Sequence, residues 1–356
     1  MNKWLLLLTC SIFTTSAFTQ EQSLRELYAK PQHEWPTIIS SKDVPAAPLK
    51  PLKAKPFKQS DEIIALGEKL FNDTRLSRDN TVSCASCHES RLAFSDRRKL
   101  AVGIDGQVGT RNTQAIIGVD HWQSFFWDGR AKTATEQALM PIENPIEMGT
   151  SVDLVLNKVN SAEDYKSPIF NAFGKEALNK ELLALSLVAF ERTFDVPESL
   201  FTRFIDKAQT NPSEAVALLD DQQLEGLHLF RTKARCMTCH EGALLSDNEF
   251  HVTGLHFYGR KLQDLGRFDT TQDSADIGKF RAPSLLALQQ SMPWMHHGGF
   301  QSLLRIVNFY NAGGARPKPR KKFKDDPNYP QTTELLHKLE LSKDEKNALI
   351  AFLETL

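Results

Sequence analysis

The pattern Cys-x-x-Cys-His occurs twice, as Cys84-Ala85-Ser86-Cys87-His88 and as Cys236-Met237-Thr238-Cys239-His240. In this pattern two thiols form thioethers to the vinyl groups of a haem, and the histidine becomes an axial ligand of the iron. One copy is compatible with a zinc site, a redox site or chance. Two copies in one chain point to two covalently attached c-type haems. A fold that holds two such groups must deliver each motif on a local scaffold and enclose a porphyrin beside it.

The N-terminus is read as a signal peptide over residues 1–17. It has a short positive start at Met1-Asn2-Lys3, an apolar stretch from Trp4 to Phe13, and small residues at Thr15-Ser16-Ala17. An exported, periplasmic protein is therefore expected. Beyond that segment every cysteine belongs to a haem motif, so none remains for a disulfide. The net charge of −1 gives no reason to expect nucleic-acid binding. No later apolar run reaches the ~18 residues that mark a membrane span.

The chain carries a weak internal repeat. Gly67-Glu68-Lys69-Leu70-Phe71 precedes the first motif and Gly226-Leu227-His228-Leu229-Phe230 the second. Each stands in an apolar pattern of helical period, and each helix leads into a haem-binding loop. Strand signals are few. The expected fold is mainly α, with two tandem cytochrome-c-like helical domains carrying one haem each. Residues 18–57 read as an extended arm, 58–205 as the first domain and 206–356 as the second. Within these, Glu181 to Phe194 and Lys343 to Leu356 read as amphipathic helices, and Asn211-Pro212-Ser213 as a helix start. The basic run Arg316 to Lys324 reads as a solvated loop, with a docking surface for an anionic partner as the alternative.

Several further segments resemble the bacterial dihaem cytochrome c peroxidase family, which includes MauG-like members. They are Leu66 to Phe71, Leu76-Ser77 and Ser83 to His88; Phe126-Trp127-Asp128-Gly129-Arg130; and Glu136-Gln137-Ala138 with Asn144-Pro145-Ile146-Glu147-Met148. Asp264 to Arg267, Gly278 to Leu285, Pro293 to His296 and Tyr310 to Gly314 complete the set. The resemblance runs in order along nearly all of the chain. It departs at His296-His297-Gly298, where many members have His-Asp-Gly, and at Gln114, where proline is common.

The resemblance implies a peroxide site at the first haem and an electron-transfer haem at the second, with His88 and His240 as proximal ligands. Trp127 is then the residue between the haems. Gln137 and Glu147 become distal groups, with Pro141 beside them. A carboxylate can carry the proton that moves between the peroxide oxygens, and an amide can orient the peroxide. Peroxidases of the family close the first iron with a histidine from a loop that here spans Leu100 to Asn112, and that stretch contains none. The first haem is therefore expected to be open. His121 lies outside any position the family uses for ligation. For the second iron, Met292, Met295, His251, His256, Tyr258 and Tyr310 are all chemically able. The resemblance selects Tyr310, as in MauG-like members. It also implies a calcium ion held by the Asn112 side chain and the carbonyls of Ser291 and Pro293, and oxygen donors of this kind suit calcium.

The expected function is an exported peroxidase-type oxidoreductase. Hydrogen peroxide reacts at the open first haem, and the oxidising equivalents are shared with a His–Tyr second haem. An external protein is then oxidised in the MauG-like manner. The alternative enzyme reduces peroxide to water with electrons from a small cytochrome or copper protein. The non-enzymatic alternative is a dihaem electron carrier with both irons closed.

Overall fold

The computed structural model describes residues 22–53 and 55–356. The expected signal segment, 1–17, lies outside the described residues. The architecture is helical, as expected. In chain order the helices are α1 (Leu24–Tyr28), α2 (Asp61–Asn72), α3 (Ala134–Glu143), α4 (Val152–Ser161), α5 (Glu163–Phe173), α6 (Lys180–Glu191), α7 (Leu200–Lys207), α8 (Pro212–Val216), α9 (Asp221–Arg231), α10 (Phe268–Thr271), α11 (Leu303–Asn311) and α12 (Lys343–Leu353). A two-residue antiparallel pair, β1 (Phe250–His251) and β2 (Phe280–Arg281), is the sheet of the described residues.

The repeat at Gly67 and Gly226 has a steric cause. In α2, a Cβ on Gly67 would sit 1.9 Å from the Ser186 carbonyl oxygen of α6. In α9, a Cβ on Gly226 would sit 2.0 Å from the Ala348 carbonyl oxygen of α12. Each glycine lets two helix backbones touch, and each crossing anchors one haem motif. Ser60 caps α2 through its hydroxyl, and Asp220 with Gln223 forms a capping box on α9. Leu66, Leu70 and Phe71 then face the first core, and Leu224, Leu227 and Phe230 the second. Burying a side chain of this size stabilises the fold by about 1.5–3 kcal/mol.

Two apolar cores result. The first is built on α2 to α6, with Phe71, Phe190 and Phe194 in edge-to-face contact. The second is built on α7 to α9, α11 and α12. Two departures from expectation concern the edges. The segment expected as an extended arm contains α1, and its Tyr28 and Trp35 are buried in the second core. Arg231 fixes them there: its guanidinium donates to the Tyr28 hydroxyl at 2.9 Å and lies over the Trp35 ring. Helix α7, which ends near the expected boundary at residue 205, packs Phe201, Phe204 and Ile205 into the second core. The Phe201 N–H donates to the Thr355 carbonyl at 3.0 Å, which ties α7 to the C-terminus.

The two halves are joined by a buried ion network. Arg111 donates two parallel bonds to Asp264, at 2.8 and 2.7 Å, and a third to Asp128 at 2.5 Å. Asp128 and Asp264 belong to separate segments of the family resemblance, so one guanidinium connects them. Among the described residues, no helix is long and apolar enough to cross a membrane.

Candidate active site

Each haem motif forms one turn of 3₁₀ helix, Cys84–Ser86 and Cys236–Thr238. The histidine that follows is oriented by a backbone carbonyl. His88 Nδ1 donates to Phe94 O at 2.6 Å, and His240 Nδ1 donates to Leu245 O at 3.0 Å. That arrangement leaves Nε2 of each ring for the cavity and fixes the tautomer a metal ligand needs. Burial pushes both imidazoles below the ordinary histidine range, so both are neutral. The four cysteines are free, and burial pushes the Cys84 and Cys236 thiols up to about 12. A redox-active Cys-x-x-Cys lowers its thiol pKa instead. The opposite shift here agrees with attachment sites.

The first cavity is bounded by Cys84, Cys87 and His88 on one side, with Gln137, Pro141 and Glu147 among its other lining residues. Helix α3 supplies Gln137 and Pro141 one turn apart. Glu147 follows in the turn that ends α3, where Asn144 organises the chain. Asn144 Oδ1 accepts from the Ile146 N–H at 3.0 Å, and its Nδ2 donates to Glu147 Oε1 at 2.7 Å. Oε2 is left for another partner. Burial raises the Glu147 pKa, while Arg130 and the Asn144 hydrogen bond oppose the rise. A second carboxyl, Glu191 at the end of α6, also lines this cavity, and burial pushes it up to about 8. The sequence pattern placed Glu191 inside an apolar helix and gave no sign of its role. Asn144 carries a sequence signal of its own, since Asn-Pro commonly opens a turn. Arg130 stood inside a recognised segment without an assigned part.

The second cavity is bounded by Cys236, Cys239 and His240, with Tyr310 and Met295 also on its lining. Much of the remaining wall is apolar, including Leu303, Val307 and Leu353. Tyr310 sits at the end of α11, where Gly313 (φ 84) and Gly314 (φ 76) turn the chain sharply. A Cβ on Gly313 would meet the His337 backbone at 2.9 Å, so the turn needs glycine for space as well as for φ. Burial pushes the Tyr310 hydroxyl above the ordinary tyrosine range, and the adjacent Cys239 and Cys236 add to the effect. Among the described residues the hydroxyl has no hydrogen-bond partner.

Other candidates for the second iron are held differently. Tyr258 donates to Asp326 Oδ2 at 2.8 Å. His256 is fully buried, and its Nδ1 accepts from the Tyr258 N–H at 3.0 Å. His251 does line the second cavity, yet its Nε2 is paired to Asp247 at 2.7 Å. Met292 is not on the cavity lining. In the first half, His121 bonds the Lys53 carbonyl at 2.9 Å and lies outside the first cavity's lining.

Trp127 lines both cavities and is 8 % exposed. Its Nε1 donates to Asn112 O at 2.9 Å, and its ring meets His296 edge to face. Arg281 also lines both cavities. It stacks on the Trp122 ring at 3.7 Å, and its Nη1 is buried without a partner among the described residues. Burial alone pulls this guanidinium down to about 9, which still leaves a cation in need of an anion. The propionates of a haem are such anions. This orphaned donor, the two oriented histidines and the enclosed lining fit the residues present to two haems. Asn112 is bound to the Pro293–Gly298 loop through its N–H, which donates to His296 O at 2.7 Å. Its Nδ2 donates to Arg98 O at 3.0 Å.

A family model described as di-haem cytochrome c peroxidase matches residues 61–210. The chain is 35% identical over 313 residues to the methylamine utilization protein MauG of Methylorubrum extorquens, covering 85% of this chain and 80% of that one. It is 30% identical over 342 residues to the cytochrome-c peroxidase IdrP1 of Pseudomonas sp., covering 88% and 85%. A crystal structure of a MauG-like protein associated with microbial copper homeostasis matches with a TM-score of 0.72 at 28% identity, over 88% of this chain and 93% of that one.

Proposed function

From the premise that this chain belongs to the di-haem cytochrome c peroxidase family, as an oxidoreductase acting on peroxide, we propose that it works in the MauG-like manner, taking hydrogen peroxide in the first cavity and oxidising an external protein through the second. Each c-type haem, when bound, supplies an iron that exchanges electrons and, where a coordination position is open, accepts an oxygen ligand.

Glu147 and Gln137 divide the polar work of the first cavity. Oε2 of Glu147 takes a proton from the near peroxide oxygen and returns it to the leaving one. Asn144 holds the other carboxylate oxygen, so the proton-carrying atom is defined. Gln137 orients the peroxide through its amide. Pro141 offers no donor atom and leaves the space beside them free. Trp127, packed between the cavities, is the route by which an electron crosses. Tyr310 would supply an oxygen ligand to the second haem, and its hydroxyl would lose its proton there by the charge effect that acidifies metal-bound water. A hard anionic donor favours the oxidised metal and lowers its potential. Asn112 Oδ1 and the carbonyls of Ser291 and Pro293 would hold a calcium ion, supplying the oxygen donors that such an ion takes. The segment 1–17 directs the protein to the periplasm.

The observation that carries this reading is the unlike lining of two cavities that share Trp127: carboxyl and amide in one, phenol in the other. The test is optical titration of the pure diferric protein with peroxide. A reaction at one equivalent without prior reduction supports it. No reaction until the second haem is reduced would return the protein to the ordinary peroxidase reading. Two low-spin haems inert to peroxide would make it a carrier. The Tyr310→Met variant should raise the potential of the second haem by on the order of 0.1 V, a fraction of the ~0.8 V range that axial ligands command. An unchanged potential would remove Tyr310 as a ligand.

A further inference from the structure

Two loops on the second half carry an unpaired basic surface. One spans 257–263 and exposes Arg260 and Lys261. The other spans 316–324 and exposes Lys318, Arg320, Lys321, Lys322 and Lys324. They form one surface: Arg260 Nη2 donates to Lys318 O at 3.3 Å, and the Phe323 ring packs on Gly259 and on Tyr258. None of these seven cations lies within ion-pair distance of a carboxylate among the described residues. The acids nearby are few. Asp325 is exposed, Asp326 accepts from the Tyr258 hydroxyl, and Glu334 is held by Lys42. In a chain of net charge −1, this is a strong local asymmetry. Leu262 projects beside the patch and is 60% exposed, which gives the charged surface an apolar contact point.

The patch is fixed to the wall of the second cavity. Thr253, Leu336 and His337 line that cavity together with Tyr310. The Ala315 N–H donates to Thr253 O at 3.0 Å, and the Arg316 guanidinium donates to Leu336 O. The Tyr329 hydroxyl donates to Pro317 O at 3.0 Å. A solvated charge run has no need of such anchoring. Here the anchoring sets the cations beside the cavity through which an external donor must be oxidised.

We propose that this surface docks an electron-donating protein whose own docking face is acidic. This rests on the peroxide-dependent function proposed above and names the chemistry of its partner. Two one-electron donors supply two electrons, and hydrogen peroxide with two protons becomes two waters. Opposed charges steer the encounter and fix its orientation, and the exposed leucine gives short-range contact.

The test uses the haem-loaded protein and the triple variant Lys321→Glu, Lys322→Glu, Lys324→Glu. Reduced plastocyanin, which has an acidic docking face, is the donor. Mitochondrial-type cytochrome c, which has a basic face, is the contrast, and uncharged tetramethylphenylenediamine is the small-molecule control. With peroxide present, plastocyanin oxidation should slow about tenfold or more in the variant, and likewise between low and high salt, within the range electrostatic steering commands. Oxidation of the small donor should be the same in both proteins. Equal plastocyanin rates in the two proteins, or faster oxidation of the basic cytochrome by the unmodified protein, would overturn the proposal. If no donor is oxidised, the peroxide-dependent function fails, and calorimetric titration with plastocyanin still decides the docking surface. Binding weakened about tenfold in the variant supports it, and equal binding overturns it. Sedimentation with phosphatidylglycerol vesicles that the variant abolishes, without plastocyanin binding, would assign the patch to a lipid surface instead.

Discussion

The loops Phe125–Ala131 and Trp294–Phe300 share one backbone frame and lead to different chemistry. Each is closed by an antiparallel bridge between its end residues. Each places a left-handed residue second, Phe126 (φ 66) and Met295 (φ 70), and a left-handed glycine fifth, Gly129 and Gly298. Each then enters a helix, α3 after Thr133 and α11 after Ser302. In that common register Trp127 corresponds to His296, and Pro141 corresponds to Tyr310. Both Pro141 and Tyr310 line a haem cavity. One helix thus brings a ring without a donor atom, and its counterpart brings a phenol. On the proposed ligation, the difference between an open and a closed haem reduces to one side chain on a repeated scaffold.

That equivalence is most exposed to Pro141→Tyr. The variant should carry a phenol into the first cavity and abolish the peroxide reaction, with loss of the high-spin ferric signal by electron paramagnetic resonance. A variant that keeps both the signal and the reaction would break the correspondence. Next in size is Glu147→Gln, which preserves shape and removes the titrating oxygen. Peroxide reaction by stopped flow should slow by about 10²–10⁴-fold, the usual worth of a positioned acid–base group. The second haem's spectrum should not change, since Glu147 belongs to the first cavity alone.

The scaffold shared by the halves was only partly legible in the sequence. Gly67 and Gly226 could be seen because backbone contact between helices leaves no substitute for glycine. The haem motifs were legible because thioether chemistry admits no other residues. The loop frame was not, because positive φ and a bridging hydrogen bond leave few constraints on side chains. Phe126-Trp127-Asp128-Gly129 and Met295-His296-His297-Gly298 have only the glycine in common. Trp127, Gln137, Glu147 and Tyr310 were reached through family resemblance, and each lines at least one of the two cavities. Arg281 and Glu191 lay outside that reading. A buried cation or carboxyl announces itself only when the cavity beside it is seen.

The two glycine crossings offer a smaller, symmetrical test. Gly67→Ala and Gly226→Ala each place a methyl far inside van der Waals contact of a carbonyl oxygen, at 1.9 and 2.0 Å, so that a helix must shift. Each should cost about 1–3 kcal/mol of stability, the usual penalty of overpacking, in chemical denaturation of the holoprotein. Similar costs would mean that the halves are anchored alike. A cost confined to one of them would show that only that crossing bears on its haem motif.

Asn144→Ala is the finest probe of what makes the first cavity reactive. Burial raises the Glu147 pKa, and Asn144 is one of two groups that hold it down. In the proposed role, the carboxylate is the form that accepts the peroxide proton. The rate should therefore fall as pH drops through a midpoint above the ordinary glutamate range. Removing Asn144 removes a lowering influence, so that midpoint moves upward. Below it, the variant should be slower by up to about tenfold, the equivalent of one hydrogen bond near 1.4 kcal/mol. Above it, both proteins should approach the same rate, because Glu147 is then ionised in each. A uniform loss at every pH would have a different meaning. Asn144 would then be aiming Oε2 at the peroxide, and the tuning of the first cavity would lie with Arg130.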